Sequence, residues 1–181
     1  MKVFLNPGHA PDGMPDPGAC GYGIRECDVA KSVAELVEHY LNDAGVTVVG
    51  NLQSDSLYEI TSTANNIEPD LFISIHCNSF NSAAHGTETW HYYSSHRGKL
   101  LAECIQRQIV DSLGTTDRGI KECVPGTETN FYVVRETDAV AVLVELAFID
   151  NKGDNELLRD AQDEFARAIA RGVTDYEQKY C

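Results

Sequence analysis

The segment LFISIHCN, residues 71–78, decides the fold that we expect for this chain. It begins as a run of uncharged, mostly β-forming residues, which is typical of a strand buried on both faces of an α/β sheet. The strand leads to His76, and an imidazole at the carboxyl end of such a strand lies where open α/β sheets form their ligand crevice. The alternative is a core histidine hydrogen-bonded to the backbone. The interpretation therefore depends on whether other candidate ligands lie at the ends of other elements.

The order of the remaining segments predicts an α/β domain. Further β-like runs lie at 2–5, 46–49, 87–93, 131–134 and 140–144, while 115–129 is polar and turn-like. Helical patterns lie at 28–44, 56–67, 97–113, 155–158 and 165–176. Two consecutive βα units predict parallel neighbouring strands with right-handed crossovers. We therefore expect residues 1–181 to form a single domain.

Composition and charge exclude several classes of function. With 28 acidic and 14 basic residues the net charge is −14, which opposes nucleic-acid binding because phosphate contacts need clusters of Lys and Arg. No run approaches the roughly eighteen apolar residues of a membrane span. The first residues of the chain contain no signal-peptide core. The six cysteines show no zinc-ribbon spacing, so we expect free thiols.

Three further residues share with His76 a position at or near the end of a predicted element. His9 follows the first strand, Glu26 precedes the first helix, and Glu145 ends the last strand. Two imidazoles and one carboxylate are a typical catalytic zinc set that leaves a position for water, and Glu145 is then a candidate general base. An acidic residue at position 26 would also suit the helix dipole alone. Spacing in the sequence cannot prove that the four side chains converge.

Seven short strings carry a resemblance to a known family, in this order and across nearly the whole chain. They are NPGHA, DPGA, GIRE, LFISIHCNS, DRGIK, FYVVRET and VLVELAFIDN. With them the sequence resembles the zinc-dependent N-acetylmuramoyl-L-alanine amidases of the amidase-3 type. This resemblance implies a mixed, mainly parallel sheet of about six strands flanked by helices on both faces. It also implies hydrolysis of the amide between the lactyl group of N-acetylmuramic acid and the L-alanine of the stem peptide in peptidoglycan.

The resemblance also implies roles for individual residues. The residues corresponding to His9, Glu26 and His76 bind one zinc ion (Zn2+) in that family, and the one corresponding to Glu145 is the catalytic glutamate. The implied substrate is peptidoglycan or a muropeptide. The implied place of action is the cell wall, outside the membrane, reached by phage-type release, by non-classical export or as an excised domain.

Two residues outside this set, Arg135 and Asn78, are predicted to bind substrate. Arg135 could hold a stem-peptide carboxylate or merely pair with a neighbouring acid. The sequence departs from the family pattern at Asn6, Cys77 and Ala147, where Asp, Ala and Gly are usual, and none of these changes removes a ligand. Asn6 could alter a contact that supports the metal site and so tune metal affinity or rate.

Two other functions are left open by the sequence. A muropeptide-binding module would keep this fold without catalysis, but it would require a missing ligand or base. A cysteine hydrolase would use Cys77, but adjacent strand residues point to opposite faces, so His76 could not serve that thiol directly. We expect a monomer without a membrane span. Some members of the family that the sequence resembles insert an inhibitory helix between the residues corresponding to His76 and Arg97. This loop is short here, so the resemblance implies an open groove.

Overall fold

The computed structural model describes residues 1–180, which form one six-stranded sheet with helices on both faces. The strands are β1 (Lys2–Pro7), β2 (Cys20–Gly21), β3 (Ile24–Arg25), β4 (Thr47–Asn51), β5 (Leu71–Asn78), β6 (Thr87–Tyr92), β7 (Asp117–Cys123) and β8 (Val140–Phe148). The helices are α1 (Glu26–Asp43), α2 (Leu57–Ile67), α3 (His96–Leu113), α4 (Tyr132–Arg135), α5 (Lys152–Asp160) and α6 (Gln162–Tyr180).

The main sheet is mixed and mainly parallel, as the resemblance implies. Its strand order is β4-β1-β5-β8-β6-β7, and β2 and β3 form a separate small hairpin. All neighbours in the main sheet are parallel except β6 and β8, which pair antiparallel. The carboxyl ends of β1, β5 and β8 therefore meet at one edge of the sheet, where open α/β sheets bind ligands.

Alternate side chains of the central strands enter two separate cores. On β1, Val3 and Leu5 pack into the larger core with residues of α1, α3 and α6, whereas Phe4 packs into the smaller core with residues of α2 and α4. The same alternation divides β5, with Ile73 in the larger core and Phe72 in the smaller one. Because side chains alternate along a strand, His76 shares the face of Phe72, under α2 and α4.

The strand expected at 131–134 was wrong, because this segment contains the one-turn helix α4. Its Val133 and Val134 are both buried. The Arg135 N–H donates to the Phe131 carbonyl, which closes the helical turn. The segment packs against β8 but cannot pair with it in the sheet, since β5 and β6 already flank β8. The residues of this segment favour a strand, but tertiary packing makes it a helical turn.

The sixth strand of the sheet is instead β7, in the segment expected to be turn-like. It is an edge strand beside β6, and most of its residues are at least partly exposed. Polar side chains on an edge strand commonly protect a protein against pairing with other chains. Such a strand lacks the alternation of apolar and polar residues by which a strand is predicted from sequence. Four helices also start earlier than expected, with α5 beginning at Lys152 rather than at 155 and α6 at Gln162 rather than at 165. Helix α1 begins at Glu26 rather than at Asp28, whose side chain instead pairs with Arg25. Helix α3 begins at His96 rather than at Arg97.

Five cysteines lie within the described residues, and all five are free, with Cys20 exposed and the others buried. The expectation of a free thiol at Cys181 falls outside the described residues. Among the helices that the structure describes, none combines the length and apolarity needed to cross a membrane.

Candidate active site

Three elements bring His9, Glu26 and His76 together at the carboxyl edge of the sheet. His76 is near the end of β5, His9 follows β1 after the single residue Gly8, and Glu26 is the first residue of α1. The backbone of Gly8 passes directly beside the His76 ring, and a Cβ atom at position 8 would lie 2.3 Å from the His76 Cε1 atom. Glycine at this position therefore allows the two histidines to approach each other.

The Glu26 carboxylate lies between the two imidazoles. Its Oε2 atom is 3.0 Å from His9 Nε2, and its Oε1 atom is 2.9 Å from His76 Nδ1. Two backbone groups also hold this carboxylate, since the Cys77 N–H donates to Oε1 over 2.9 Å and the Ala19 N–H donates to Oε2 over 2.8 Å. Two backbone donors and two imidazole nitrogens thus surround a carboxylate that is only 3% exposed.

These three side chains fit a divalent cation. One ligand atom from each of His9, Glu26 and His76 lies within 4.8 Å of the others, which is compatible with a shared centre. Two imidazole nitrogens with one carboxylate oxygen are the donor set of catalytic zinc sites. Gly18 leaves space beside this group, because a Cβ atom there would lie 2.6 Å from Glu26 Oε2 and 2.5 Å from the His9 ring.

Asp16, in the loop after β1, orients His9 from the outside. Its Oδ2 atom is 2.8 Å from His9 Nδ1, and its Oδ1 atom accepts the Gly18 N–H over 2.9 Å. Metal-binding histidines commonly donate their other ring nitrogen to a carboxylate in this way, which sets the tautomer and the ring orientation. Sequence reasoning missed this residue, although the Asp-Pro-Gly string of the loop contains it.

The site favours charge on both partners of the pair formed by His9 and Glu26. Burial lowers the pKa of His9, but the hydrogen bonds and negative charges of Glu26 and Asp16 outweigh burial and raise that pKa to about 9. Burial would raise the pKa of Glu26, but its bonds to His76 and His9 lower it well below the usual range. In the absence of a metal ion, the protonated imidazole of His9 supplies positive charge beside this carboxylate.

Glu145 lies beside this group on the neighbouring strand β8, paired in register with His76 on β5. Its Oε2 atom is shielded from solvent and has no hydrogen-bond partner in residues 1–180. Burial raises the pKa of Glu145 well above the usual range, and the negative charges of Glu26 and Glu88 add to this effect. A buried carboxylate oxygen without a partner is costly, and such groups are frequent at functional sites.

A groove of about 430 Å³ passes over the three candidate ligands and Glu145. Helices α2 and α4 supply an apolar wall, while Asn78 and Ser79 extend the floor beyond His76. The groove is lined by both apolar and polar residues, which include Ser54, Asp55, Leu57, Ile60, Phe131, Tyr132, Val133 and Leu143. This mixture suits a ligand with both aliphatic and polar parts.

The other residues singled out from the sequence have different positions. Asn78 lies on the groove floor, and its side chain donates to Glu88 Oε1 over 2.9 Å. Arg135 does not line the groove and pairs with Glu136, with its guanidinium 5.3 Å from the Tyr132 ring centre. Asn6 donates to the Leu52 carbonyl and accepts from Ser74, so its hydrogen bonds tie strands together rather than reaching a candidate ligand.

Cys77 is a poor candidate nucleophile in this environment. The residue is 3% exposed, and burial together with the charges of Glu26 and Glu145 raises the pKa of its thiol well above the usual range. A thiol acts as a nucleophile only as the thiolate. These observations oppose a cysteine hydrolase.

Comparisons with known proteins identify the family of this chain. The Amidase_3 model, N-acetylmuramoyl-L-alanine amidase, matches residues 3–175. The N-acetylmuramoyl-L-alanine amidase LytC of Bacillus subtilis (strain 168) is 36% identical over 182 residues, covering 96% of this chain and 35% of LytC. The uncharacterized protein YqiI of the same organism is 37% identical over 181 residues, covering 96% of this chain and 84% of YqiI. This chain thus spans about a third of LytC but most of YqiI.

Solved structures show the same fold. The N-acetylmuramoyl-L-alanine amidase from Clostridium difficile 630 matches with a TM-score of 0.89 and 29% identity, over 99% of this chain and 98% of that chain. The amidase AmiC2 of Nostoc punctiforme matches with a TM-score of 0.87 and 30% identity, over 99% and 98% of the two chains. Because the family model matches nearly the whole chain, this chain belongs to the Amidase_3 family, which is described as N-acetylmuramoyl-L-alanine amidase.

Proposed function

We propose that this protein is a zinc-dependent N-acetylmuramoyl-L-alanine amidase that cleaves the amide between N-acetylmuramic acid and L-alanine in peptidoglycan. The observation that carries the proposal is the group of His9, Glu26 and His76 beside the unpaired oxygen of Glu145. The same edge of the sheet thus offers a metal-binding set and a separate carboxylate. Family membership supplies the substrate class.

In this proposal His9, Glu26 and His76 hold one zinc ion. A zinc ion bound there would polarise the lactyl carbonyl and make a water molecule more acidic. The residues themselves contribute rigidity, because the backbone N–H groups of Cys77 and Ala19 fix Glu26, and Asp16 fixes His9. Ligands held in this way keep their geometry during a reaction.

Glu145 is proposed as the general base and then the general acid. Its Oε2 atom has no competing hydrogen-bond partner in the described part of the chain, so it can accept a proton from the attacking water. The protonated form can then donate this proton to the leaving amine of L-alanine. The burial that raises the pKa of Glu145 makes it a better proton acceptor than an exposed carboxylate.

The groove supports recognition of a muropeptide. Its apolar wall from α2 and α4 can pack against the aliphatic parts of the lactyl and alanyl groups, while Asn78 offers an amide to the polar parts. A contact between Arg135 and a stem-peptide carboxylate stays a prediction, and it would require the arginine to leave Glu136. We further propose that residues 1–181 act as one monomeric catalytic domain at the cell wall.

The test is the release of free L-alanine amino termini from purified peptidoglycan by zinc-loaded protein. We expect release by the wild type, and loss of both release and bound zinc after chelation or in His76→Ala. His39→Ala is the matched control, because this histidine side chain is 63% exposed and lies far along α1 from the site. Muropeptide binding without any release would contradict the proposal and favour a binding module.

A further inference from the structure

A second buried carboxylate, Glu88 on β6, lies beside Glu145. The antiparallel register of β6 and β8 places Glu88 directly opposite Glu145, and side chains directly opposite in such a pair share one face of the sheet. Glu88 is 5% exposed, so its negative charge is held in the protein interior. A buried charge is stable only when it is paired and hydrogen-bonded, and its partners therefore show what it does.

Both oxygens of Glu88 have a partner. Its Oε1 atom accepts from Asn78 Nδ2 over 2.9 Å, and its Oε2 atom accepts from Arg118 Nε over 2.8 Å. Glu145 differs, because its Oε2 atom has no partner among the residues that the structure describes. The two neighbouring carboxylates therefore have separate roles, one committed to protein groups and the other available for chemistry.

Arg118 is placed for this contact by an irregularity in β7. Thr87 pairs with Asp117 whereas Thr89 pairs with Ile120, so β7 carries one extra residue in this interval. Bulges of this kind redirect a side chain and are frequent beside active sites. The Arg118 guanidinium also lies 4.8 Å from the ring centre of Phe148, the residue paired with Asn78 across β5 and β8. The arginine is thus both the counter-ion of Glu88 and part of the packing beside Asn78.

The contacts of Asn78 fix which way its carboxamide points. An ionised carboxylate can only accept, so Glu88 requires the nitrogen of the carboxamide on its side. The backbone N–H of Ser79 can only donate, and it binds Asn78 Oδ1 over 2.8 Å. One proton of Nδ2 is used by Glu88, which leaves a second N–H on a residue that lines the groove.

We propose that Glu88, with Arg118 as its counter-ion, is a positioning residue that holds the Asn78 carboxamide as a hydrogen-bond donor to a carbonyl oxygen of the substrate. This inference rests on the proposed function, because it takes the groove to be the muropeptide site. In the absence of Glu88 only the Ser79 N–H would hold the carboxamide, which could then turn part of the time and present its oxygen, and this oxygen would repel a carbonyl.

The test compares Glu88→Gln, Asn78→Ala and the double variant in the zinc-loaded protein. The introduced glutamine has nearly the same shape as glutamate but can present a donor to Asn78, so the carboxamide loses its fixed orientation. We expect each single variant to lower kcat/KM on a soluble muropeptide about tenfold, the effect of one good hydrogen bond. The double variant should be no worse than Asn78→Ala, because both changes remove the same contact.

Glu122→Gln is the matched control, since it makes the same charge change at an exposed position of β7. The inference would be overturned if Glu88→Gln had the same kcat/KM as Glu122→Gln. It would also be overturned if the double variant lost kcat/KM by the product of the two single losses. If Glu88→Gln does not fold, Glu88→Asp takes its place, because it keeps the charge but withdraws the carboxylate from Asn78.

A binding measurement separates this inference from the proposed function. Muropeptide affinity is measured by calorimetry in a Glu145→Gln background, which blocks turnover. If the wild type releases no L-alanine amino termini, the proposed function fails, but weaker muropeptide binding by Glu88→Gln than by Glu122→Gln still supports the inference. Equal binding by the two variants overturns it.

Discussion

His76 and Glu145 are directly paired across the parallel strands β5 and β8, and β8 carries one extra residue immediately beyond this pair. Asn78, two residues after His76, pairs with Phe148, three residues after Glu145. Such a bulge ends regular pairing and bends the strand beside a site. A candidate metal ligand and a candidate base are therefore held by adjacent strands, and their separation is set by the sheet rather than by a loop.

Metal binding should release protons at neutral pH. The raised pKa of His9, about 9, means that its imidazole is protonated at pH 7 in the metal-free protein, whereas a ligand must be neutral. We expect zinc binding at pH 7 to release at least about one proton, and fewer protons as the pH rises above 9. Calorimetry in buffers of different ionisation enthalpy measures this number. Zinc binding at pH 7 without proton release would contradict the assignment of His9.

Asp16→Asn should weaken metal binding without unfolding the protein. Asparagine can keep the bond from the Gly18 N–H to Oδ1, but it replaces the carboxylate oxygen that faces His9. Removing such an outer carboxylate typically lowers metal affinity about 10- to 100-fold. Competition with a chromogenic chelator measures the change. Asp12→Asn is the control, because Asp12 is exposed and asparagine tolerates its positive φ of 59°. Equal affinities of the two variants would exclude the role of Asp16.

Gly8→Ala should damage the site from the backbone side. The new Cβ atom would lie 2.3 Å from the His76 ring, so the imidazole must move. Overpacking of this kind costs about 1–3 kcal/mol of the free energy of unfolding, and we expect zinc affinity to fall with it. Chemical denaturation and zinc titration measure the two effects.

Gly153→Ala is the matched control for this substitution. Its Cβ atom would meet only Asn151 Oδ1, at 3.6 Å, which is an ordinary contact. The change should therefore leave zinc affinity unaltered and stability within about 1 kcal/mol of the wild type. A Gly8→Ala protein that behaves like Gly153→Ala would show that the close approach to His76 is unimportant.

The fold was predictable from the sequence where strands are buried. Segments such as LFISIHCN have no charge before their end, so both their type and their burial could be predicted. The edge strand β7 was missed because its pairing comes from β6 and not from its own apolar pattern. The helix α4 was mistaken for a strand because its aromatic and β-branched residues favour strands, whereas in the folded chain the segment packs against α2 and β8 as a helical turn.

The site was predictable in part for the same reason. His76 and Glu145 end buried strands, where a polar side chain is noticeable. Glu26 is brought to His76 by the path of a long loop and the start of α1, which spacing does not reveal. Asp16 and Glu88 act through other side chains, so only their contacts in the folded chain identify them.

Glu145 is the proposed proton carrier, and it lies beside a metal site that does not include it as a ligand. The most direct test measures zinc content and release of L-alanine amino termini on the same preparations of wild type and Glu145→Gln. We predict about one zinc ion per chain in both, with the rate of the variant lowered about 10²- to 10⁴-fold. A variant that keeps the wild-type rate, or that loses activity only because it loses zinc, would contradict the account.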